Sequence, residues 1–91
     1  MVRVYLSSAV ANAANGQKEI DLDFHGDVGG LLKELGDRFG DSFTSRVLEN
    51  GRPRRYINVY VNGKDIRFLA DTATPVEGGT TVDLIPAVSG G

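Results

Sequence analysis

The chain has 91 residues, of which 41% are hydrophobic and 24% charged, and its formal net charge is −2. A chain of this size and composition can bury one modest core, so we expect a single globular domain. The negative balance argues against nucleic acid as a partner, and no apolar run could span a bilayer or serve as a signal peptide. We therefore expect a cytoplasmic protein that has neither nucleic acid nor a membrane as a partner.

The chain contains no cysteine and a single histidine, His25, which limits the chemistry of its side chains. A disulfide framework, a thiolate nucleophile and a cysteine-ligated zinc ion are excluded. One histidine cannot build a histidine-rich metal centre, so we expect His25 to lie in water at a strand end. We predict no metal site in this chain.

Two apolar–polar alternations near the N-terminus indicate half-buried strands. Their inward positions are Val2, Val4 and Leu6 in the first run, and Ile20, Leu22 and Phe24 in the second. Residues 7–16 are small and polar and include turn formers, which predicts a hairpin connection between the two strands. An antiparallel N-terminal hairpin is therefore expected.

The spacing then becomes helical, with apolar residues on one stripe. These residues are Val28, Leu31, Leu32, Leu35 and Phe39. Asp27 is suited to cap the start of this helix and Gly40 to end it. Gly36 lies inside the helix, where glycine costs about 1 kcal/mol relative to alanine. We interpret Gly36 as a point of close packing against the sheet.

Residues 41–55 are predicted to be irregular, with Phe43, Val47 and Leu48 anchoring the segment to the core. The segment also carries Arg46, Arg52, Arg54 and Arg55. These arginines could form a patch for an anion or a partner. The neighbouring acidic residues and the negative balance of the chain instead favour a solvated loop.

Residues 57–61 alternate again, and Asn62-Gly63 supplies the pair of positive-φ residues that a type I′ hairpin turn requires. Residues 64–68 are predicted to return as the next strand. A turn at residues 77–79 leads into the last strand, in which Val82 and Leu84 face the core. The element order β-β-α-β-β-β predicts an α+β fold of the β-grasp, or ubiquitin-like, type. We expect a mixed sheet of four to five strands, with one main helix across one face and the first and last strands at its centre.

The last strand leads into Gly90-Gly91, where the sequence ends. Glycine has no Cβ, so two terminal glycines can lie in a channel too narrow for other residues, and the carboxylate has no side chain to hinder it. We expect residues 1–86 to form the domain and residues 87–91 to form a flexible tail. Gly91 is the predicted reacting residue.

Two segments resemble the MoaD/ThiS family of sulfur carrier proteins. They are Tyr-Ile-Asn-Val-Tyr-Val-Asn-Gly at residues 56–63 and the ending Ile-Pro-Ala-Val-Ser-Gly-Gly at residues 85–91. The chain looks most like the CysO-type branch, which serves cysteine synthesis. The N-terminal third carries no motif specific to the family.

The resemblance implies a carrier rather than an enzyme. An E1-like adenylyltransferase/sulfurtransferase would use ATP to convert the Gly91 carboxylate into an acyl-adenylate and then a thiocarboxylate. A sulfur-accepting synthase, cysteine synthase-like or other, would take the sulfur, and a metallopeptidase could release the product. This chain would bind no cofactor itself. Gly29-Gly30 and Gly78-Gly79 lack the Lys-Ser/Thr pair and the spacing of a phosphate-binding loop.

The residues before Gly91 are assigned to recognition of the tail or of the domain by partners. Tail recognition is predicted for Gly90, Ser89, Val88, Ala87 and Pro86. Partner docking is predicted for Ile85, Tyr60 and Tyr56, which the strand alternation places on the face of the sheet opposite the helix. Strand termination at Pro86 and ordinary strand propensity of the tyrosines are the alternative explanations.

Several functions remain open at this point. The same carrier chemistry would serve the small subunit of molybdopterin synthase, or a sulfur donor for thiolation of tRNA or of a secondary metabolite. A different class is a ubiquitin-like modifier, whose terminus forms amide bonds with lysines of other proteins. A third class is a β-grasp binding module in which the two terminal glycines have no role.

Overall fold

The computed structural model of the protein describes residues 1–87, which are built around a five-stranded mixed sheet. The strands are β1 (Val2–Leu6), β2 (Glu19–Leu22), β3 (Gly26–Asp27), β4 (Leu48–Glu49), β5 (Arg52–Pro53), β6 (Ile57–Val61), β7 (Lys64–Asp65), β8 (Pro75–Val76) and β9 (Thr81–Pro86). The α-helices are α1 (Ser8–Ala11), α2 (Val28–Phe39) and α3 (Asp41–Val47). Three 3-10 turns span Asn12–Ala14, Ile66–Phe68 and Asp71–Ala73.

The main sheet has the strand order β2-β1-β9-β6-β7, which places the first and last strands side by side at its centre. β1 runs parallel to β9 and antiparallel to β2, whereas β6 is antiparallel to both β9 and β7. Two small ribbons, β3 with β8 and β4 with β5, lie outside this sheet. With α2 packed on one face, the arrangement is the α+β, β-grasp fold that the sequence predicted.

The core lies between the sheet and α2, and the periodicity of each element explains it. Alternate residues of β1 and β9 are buried, among them Val4, Val82 and Leu84. Leu31 and Leu35 on α2 are fully buried against them. The helix begins and ends where predicted: the Asp27 side chain accepts a hydrogen bond from Gly30 N, and Gly40 forms the C-cap.

Residues 7–16 connect two antiparallel strands as predicted, but the expectation of a small, polar turn was wrong. The segment forms α1 and a 3-10 turn, with the Ser7 side chain capping α1 by accepting from Val10 N. Val10, Ala11, Ala13 and Ala14 are all buried. Alanine is the strongest helix former, but its small side chain gives a weak apolar pattern, and this concealed the helix. β2 is also shorter than predicted, since Phe24 lies beyond its end and packs at the edge of the core.

The prediction that residues 41–55 are irregular was also wrong. They form α3 and then the β4–β5 ribbon, whose turn uses Asn50 at φ 54° and Gly51 at φ 78°. This is the same Asn-Gly turn signal that residues 62–63 carry, and it was overlooked here. The expected anchors Phe43, Val47 and Leu48 are all buried.

The hairpin after β6 has the expected turn, with φ of 50° at Asn62 and 84° at Gly63. Its return strand is shorter than the predicted residues 64–68, because β7 ends at Asp65. The Asp65 carboxylate accepts a hydrogen bond from Arg67 N and caps the 3-10 turn that follows. Phe68 is consequently left 81% exposed.

Gly36 is a point of close packing, as predicted, but it packs against α3 and not against the main sheet. A Cβ at position 36 would lie 2.8 Å from Oγ1 of Thr44 on α3 and 3.9 Å from Cδ1 of Leu48. The first distance is shorter than atoms tolerate without a shift. Glycine therefore allows α2 and α3 to approach each other.

We expect Gly36→Ala to lower the free energy of unfolding by about 1 kcal/mol, because the overpacking outweighs the better helix propensity of alanine. In a Thr44→Ala background the same substitution should stabilise the protein, by at most about 1 kcal/mol. Urea unfolding of the four variants measures this. Gly29→Ala in the same helix is the control, since its Cβ would meet nothing closer than 3.5 Å. Equal effects of Gly36→Ala in both backgrounds would contradict the assignment.

Candidate tail exit and docking face

The C-terminal strand leaves the sheet beside the start of β6. Pro86 pairs with Ile57, and the backbone N–H of Ala87 donates to the carbonyl of Tyr56 at 2.6 Å. The hydrogen bonding of the sheet therefore reaches Ala87. The predicted tail positions Val88, Ser89, Gly90 and Gly91 lie outside the described residues.

Pro86 occupies a position in β9 where a backbone N–H is not needed. The Thr80 carbonyl accepts from Arg3 N–H of β1, and the Leu84 carbonyl accepts from Ser7 N–H. The backbone N–H and C=O groups of the even-numbered residues in this segment therefore point toward β1. β1 ends at Leu6, which pairs with Leu84, so no residue of β1 lies opposite Pro86. A proline is tolerated in a strand at such a site, and it also prevents the ladder with β1 from extending.

The predicted docking residues lie close to this exit. Ile85 is 42% exposed and pairs with Asn58 on the outer face of the sheet, which we define as the face opposite α2. Tyr60 is half-buried on the same face, diagonal to Ile85, and diagonal cross-strand neighbours are within reach of aromatic side chains. Tyr56 is 65% exposed just before β6. The structure thus groups all three residues around the end of β9, where the tail begins.

Two further exposed aromatic residues were not singled out by the sequence analysis. Tyr5 pairs with Asp83, which also pairs with Tyr60, so the two tyrosines flank one carboxylate on the outer face. The alternation of β1 was sufficient to place Tyr5 there. Phe68 could not have been found in this way, because its exposure follows from the 3-10 turn that replaces the predicted strand.

The charged pair Asp65–Arg67 lies next to Tyr60. Asp65 pairs with Tyr60 across β6 and β7 and is only 6% exposed. Its carboxylate accepts from Arg67 Nη2 at 2.7 Å, from Nε at 3.2 Å and from the backbone N–H at 2.9 Å. The side-chain and then the backbone hydrogen bonds from Arg67 lower the pKa of Asp65, against the opposing effect of burial. The same pairing raises the pKa of Arg67.

Other features of residues 1–87 bear on the binding of an anion, a metal or a membrane. At the N-terminus of α2 the anion position is taken by the protein itself, since Asp27 Oδ1 lies 2.8 Å from Gly30 N. Within residues 1–87, no group of three or more His, Asp or Glu side chains is placed to hold a metal ion. The same residues contain no helix with the length and apolarity needed to cross a membrane. A cleft of about 500 Å³ lies over the glycines of α2, and none of its lining residues belongs to β6 or β9.

The fold and the position of the tail exit define a ubiquitin-like protein of the β-grasp class. Comparison with protein families gives the narrower assignment, because the ThiS family matches residues 4–91. The chain belongs to the ThiS family, in agreement with the resemblance found in its sequence.

Individual relatives are similar over most of the chain. The sulfur carrier protein CysO of Mycobacterium tuberculosis is 30% identical over 94 residues, which cover 99% of this chain and 98% of the relative. Small archaeal modifier protein 3 of Haloferax volcanii is 33% identical over 78 residues, 84% of each chain. Among solved structures, a chain of the BexX/CysO complex of Amycolatopsis orientalis superposes with a TM-score of 0.85 at 27% identity, with full coverage of both chains.

Asp65→Asn should lower the free energy of unfolding by about 1 kcal/mol at neutral pH, because Arg67 loses its charged acceptor while remaining exposed to water. The folded-state pKa of Asp65 is lowered, so its ionised form stabilises the fold above the ordinary aspartate pKa of about 3.9. This stabilisation is lost as the pH falls through the folded-state value. Wild type and variant should therefore converge in strongly acidic buffer.

Chemical unfolding across this pH range, with Arg67→Gln and the double variant included, measures the coupling between the two side chains. The coupling energy should be largest at neutral pH and vanish once Asp65 is protonated. A coupling that does not change with pH would show that the ion pair does not stabilise the turn.

Proposed function

We propose that this protein is a sulfur carrier whose Gly91 carboxylate is adenylated by a partner enzyme and then converted to a thiocarboxylate. The sulfur is donated to a biosynthetic reaction, with cysteine synthesis as the first choice. The observation that carries this proposal is the ThiS family match, which runs from residue 4 to the last glycine. The similarity to CysO of M. tuberculosis, which covers nearly all of both chains, supports the choice of cysteine synthesis.

The proposed chemistry needs only the carboxylate from this chain. A carboxylate oxygen attacks the α-phosphate of ATP, pyrophosphate leaves, and the acyl-adenylate forms. Sulfide then attacks the acyl carbon and AMP leaves, so that the terminus carries sulfur in place of one oxygen. A protein without cysteine has no side-chain thiol that could compete for the activated terminus.

The domain supplies a fixed starting point for the tail and a surface for the partner. The hydrogen bond between Ala87 and Tyr56 fixes where the tail begins, and Pro86 restricts the backbone just before it. Exposed Ile85 and the adjacent tyrosines form an apolar and aromatic contact area next to that point. The A. orientalis relative was crystallised in a complex with a second protein, BexX, which supports a function that depends on docking.

Three kinds of partner follow from this proposal. The first is an E1-like adenylyltransferase/sulfurtransferase, which binds the ATP. The second is a sulfur-accepting synthase, cysteine synthase-like in the favoured pathway. A metallopeptidase would act third if the product has to be released from the carrier. Molybdopterin synthesis or thiolation of tRNA or a secondary metabolite would use the same activated terminus with a different acceptor.

A protein modifier is the second candidate function, favoured by the similarity to small archaeal modifier protein 3 of H. volcanii. In this case a lysine amine, rather than sulfur, would attack the activated Gly91 and form an amide bond. The two functions share the adenylation step and differ in the nucleophile.

Incubation with ATP, sulfide and an adenylating enzyme from the same organism should exchange one oxygen of the protein for sulfur, which intact-mass spectrometry detects. Deletion of Gly91 should abolish the exchange without changing the melting temperature, since the hydrophobic core is formed by residues within 2–84. An unchanged mass of the wild-type chain, with an enzyme shown to be active on another carrier, would argue against the sulfur-carrier function. Conjugates of higher mass that need Gly91 would identify a modifier.

Ile85→Ser should raise the KM of the adenylating enzyme for this protein about tenfold, because a buried apolar contact at an interface contributes more than 1 kcal/mol. The kcat should be unchanged, since Ile85 lies outside the tail. Leu69→Ser is the matched control, because Leu69 has the same exposed fraction, 42%, in a different part of the chain. Equal KM values for the two variants would remove Ile85 from the docking face.

A further inference from the structure

A second surface, rich in arginine, lies close to the tail exit. Arg52, Arg54, Arg55 and Arg67 line a cleft of about 240 Å³ along the open side of β6. These are four of the 10 lysines and arginines in the whole chain. Asp65 and Asp71 are the acidic residues of the same lining, and Glu49 forms an ion pair with Arg54, so four guanidinium groups face three carboxylates and their net charge is +1. This is a local positive charge on a protein whose net charge is −2.

The structure brings this set together in a way that the sequence did not indicate. The sequence grouped Arg46 with Arg52, Arg54 and Arg55 and favoured a solvated loop. Arg46 lies on α3 and is not among the residues that line the cleft. Arg67 takes its place, because β7 and the following 3-10 turn bring it beside Asn58 of β6.

Most of these guanidinium groups are already held in position by the protein. Arg52 Nη2 lies 3.1 Å from Asp71 Oδ1. Arg54 Nε donates to the Ser45 carbonyl at 2.9 Å, and Arg54 Nη1 lies 3.8 Å from Glu49 Oε1. Arg67 is held by Asp65. Each of the three uses only part of its five N–H donors, so donors remain for another acceptor. Positioned side chains lose less conformational entropy when they bind.

Arg55 is the exception among the four arginines. It forms no ion pair or side-chain hydrogen bond with any other residue in the range 1–87. It directly precedes Tyr56, whose carbonyl accepts the Ala87 N–H. A protein that encloses the tail therefore comes close to this cleft.

We propose that the arginine cleft, defined by Arg52, Arg54, Arg55 and Arg67, docks acidic side chains of the enzyme that takes up the tail. This inference rests on the proposed function. A guanidinium group offers two parallel N–H donors to a carboxylate, which gives the contact a defined geometry.

The exposure of the cleft favours a protein carboxylate over a small anion. The side chains of Arg52 and Arg67 are 63% and 66% exposed, and ion pairs in such positions contribute little in water. A partner that already holds the tail presents its carboxylates at a high effective concentration and excludes water from the contact. Ion pairs between these arginines and the carboxylates of the partner then contribute to the affinity of the complex.

The test compares native protein with the double variant Arg52→Gln/Arg55→Gln in ATP–pyrophosphate exchange by the adenylating enzyme. We expect the KM for the carrier to rise at least about tenfold and its dependence on salt to weaken, with kcat unchanged. The control, Lys33→Gln/Arg38→Gln, removes the same charge from α2 and should leave KM within about twofold of native. Melting temperatures of all variants establish that the fold is retained.

Three other outcomes would contradict the proposal, and they distinguish failure of the proposed function from failure of the docking site. If the native chain is not adenylated, the proposed function is wrong and the docking site falls with it. If it is adenylated and the two double variants have equal KM values, the proposed function stands and the cleft is not a specific docking site. Saturable shifts of the Arg52 and Arg55 amide resonances with inorganic phosphate, at constant ionic strength and with native KM in the cleft variant, would assign the cleft to a small anion instead.

Discussion

The parallel pairing of β1 with β9 is the contact on which the rest of the structure depends. These two strands are far apart in the chain and adjacent at the centre of the sheet, where Val4 pairs with Val82 and Leu6 with Leu84. β2 extends the sheet from β1, and β6 extends it from β9. The core between the sheet and α2, and the outer face that carries Ile85, both follow from this central pair.

The central position of β9 also determines how the candidate site is built. β9 is paired with both β1 and β6 as far as Leu84, and its pairing with the β6 side continues to Ala87, so the tail begins from a defined point. Ile85 and Tyr60 face outward near this point, because side chains alternate along a strand and their chain neighbours Leu84 and Val59 face inward. The same alternation that buries the core therefore produces the exposed contact area beside the tail.

The parts of this architecture that follow from periodicity could be predicted from the sequence. The apolar stripe of α2, the cap at Asp27 and the alternation in β1 and β9 all depend on neighbours a few residues away, and each was placed correctly. The outward position of Ile85 follows from the same rule. Family resemblance then identified the ThiS family, which the packing of the domain does not by itself indicate.

The features that could not be predicted depend on contacts between distant segments or on weak local signals. α1 and the 3-10 turn after it bury Val10 and three alanines, whose small side chains give no strong pattern. The shortening of β7 depends on the Asp65 carboxylate, which accepts from the backbone N–H two residues later. The arginine cleft is lined by both Arg52 and Arg67, and Arg67 reaches it only once the turn after β7 has formed. Asn50-Gly51 is different, because this residue pair is a local turn signal that predicts the β4–β5 hairpin from the sequence alone.

Hydrogen bonding on both sides of β9 has a mechanical consequence. Tension applied to the chain beyond Ala87 acts along the axis of a strand that is held by two ladders, one with β1 and one with β6. Such a load shears many hydrogen bonds at once, whereas a strand at the edge of a sheet can be peeled away one bond at a time. The domain therefore resists unfolding when the chain is pulled from its C-terminal end.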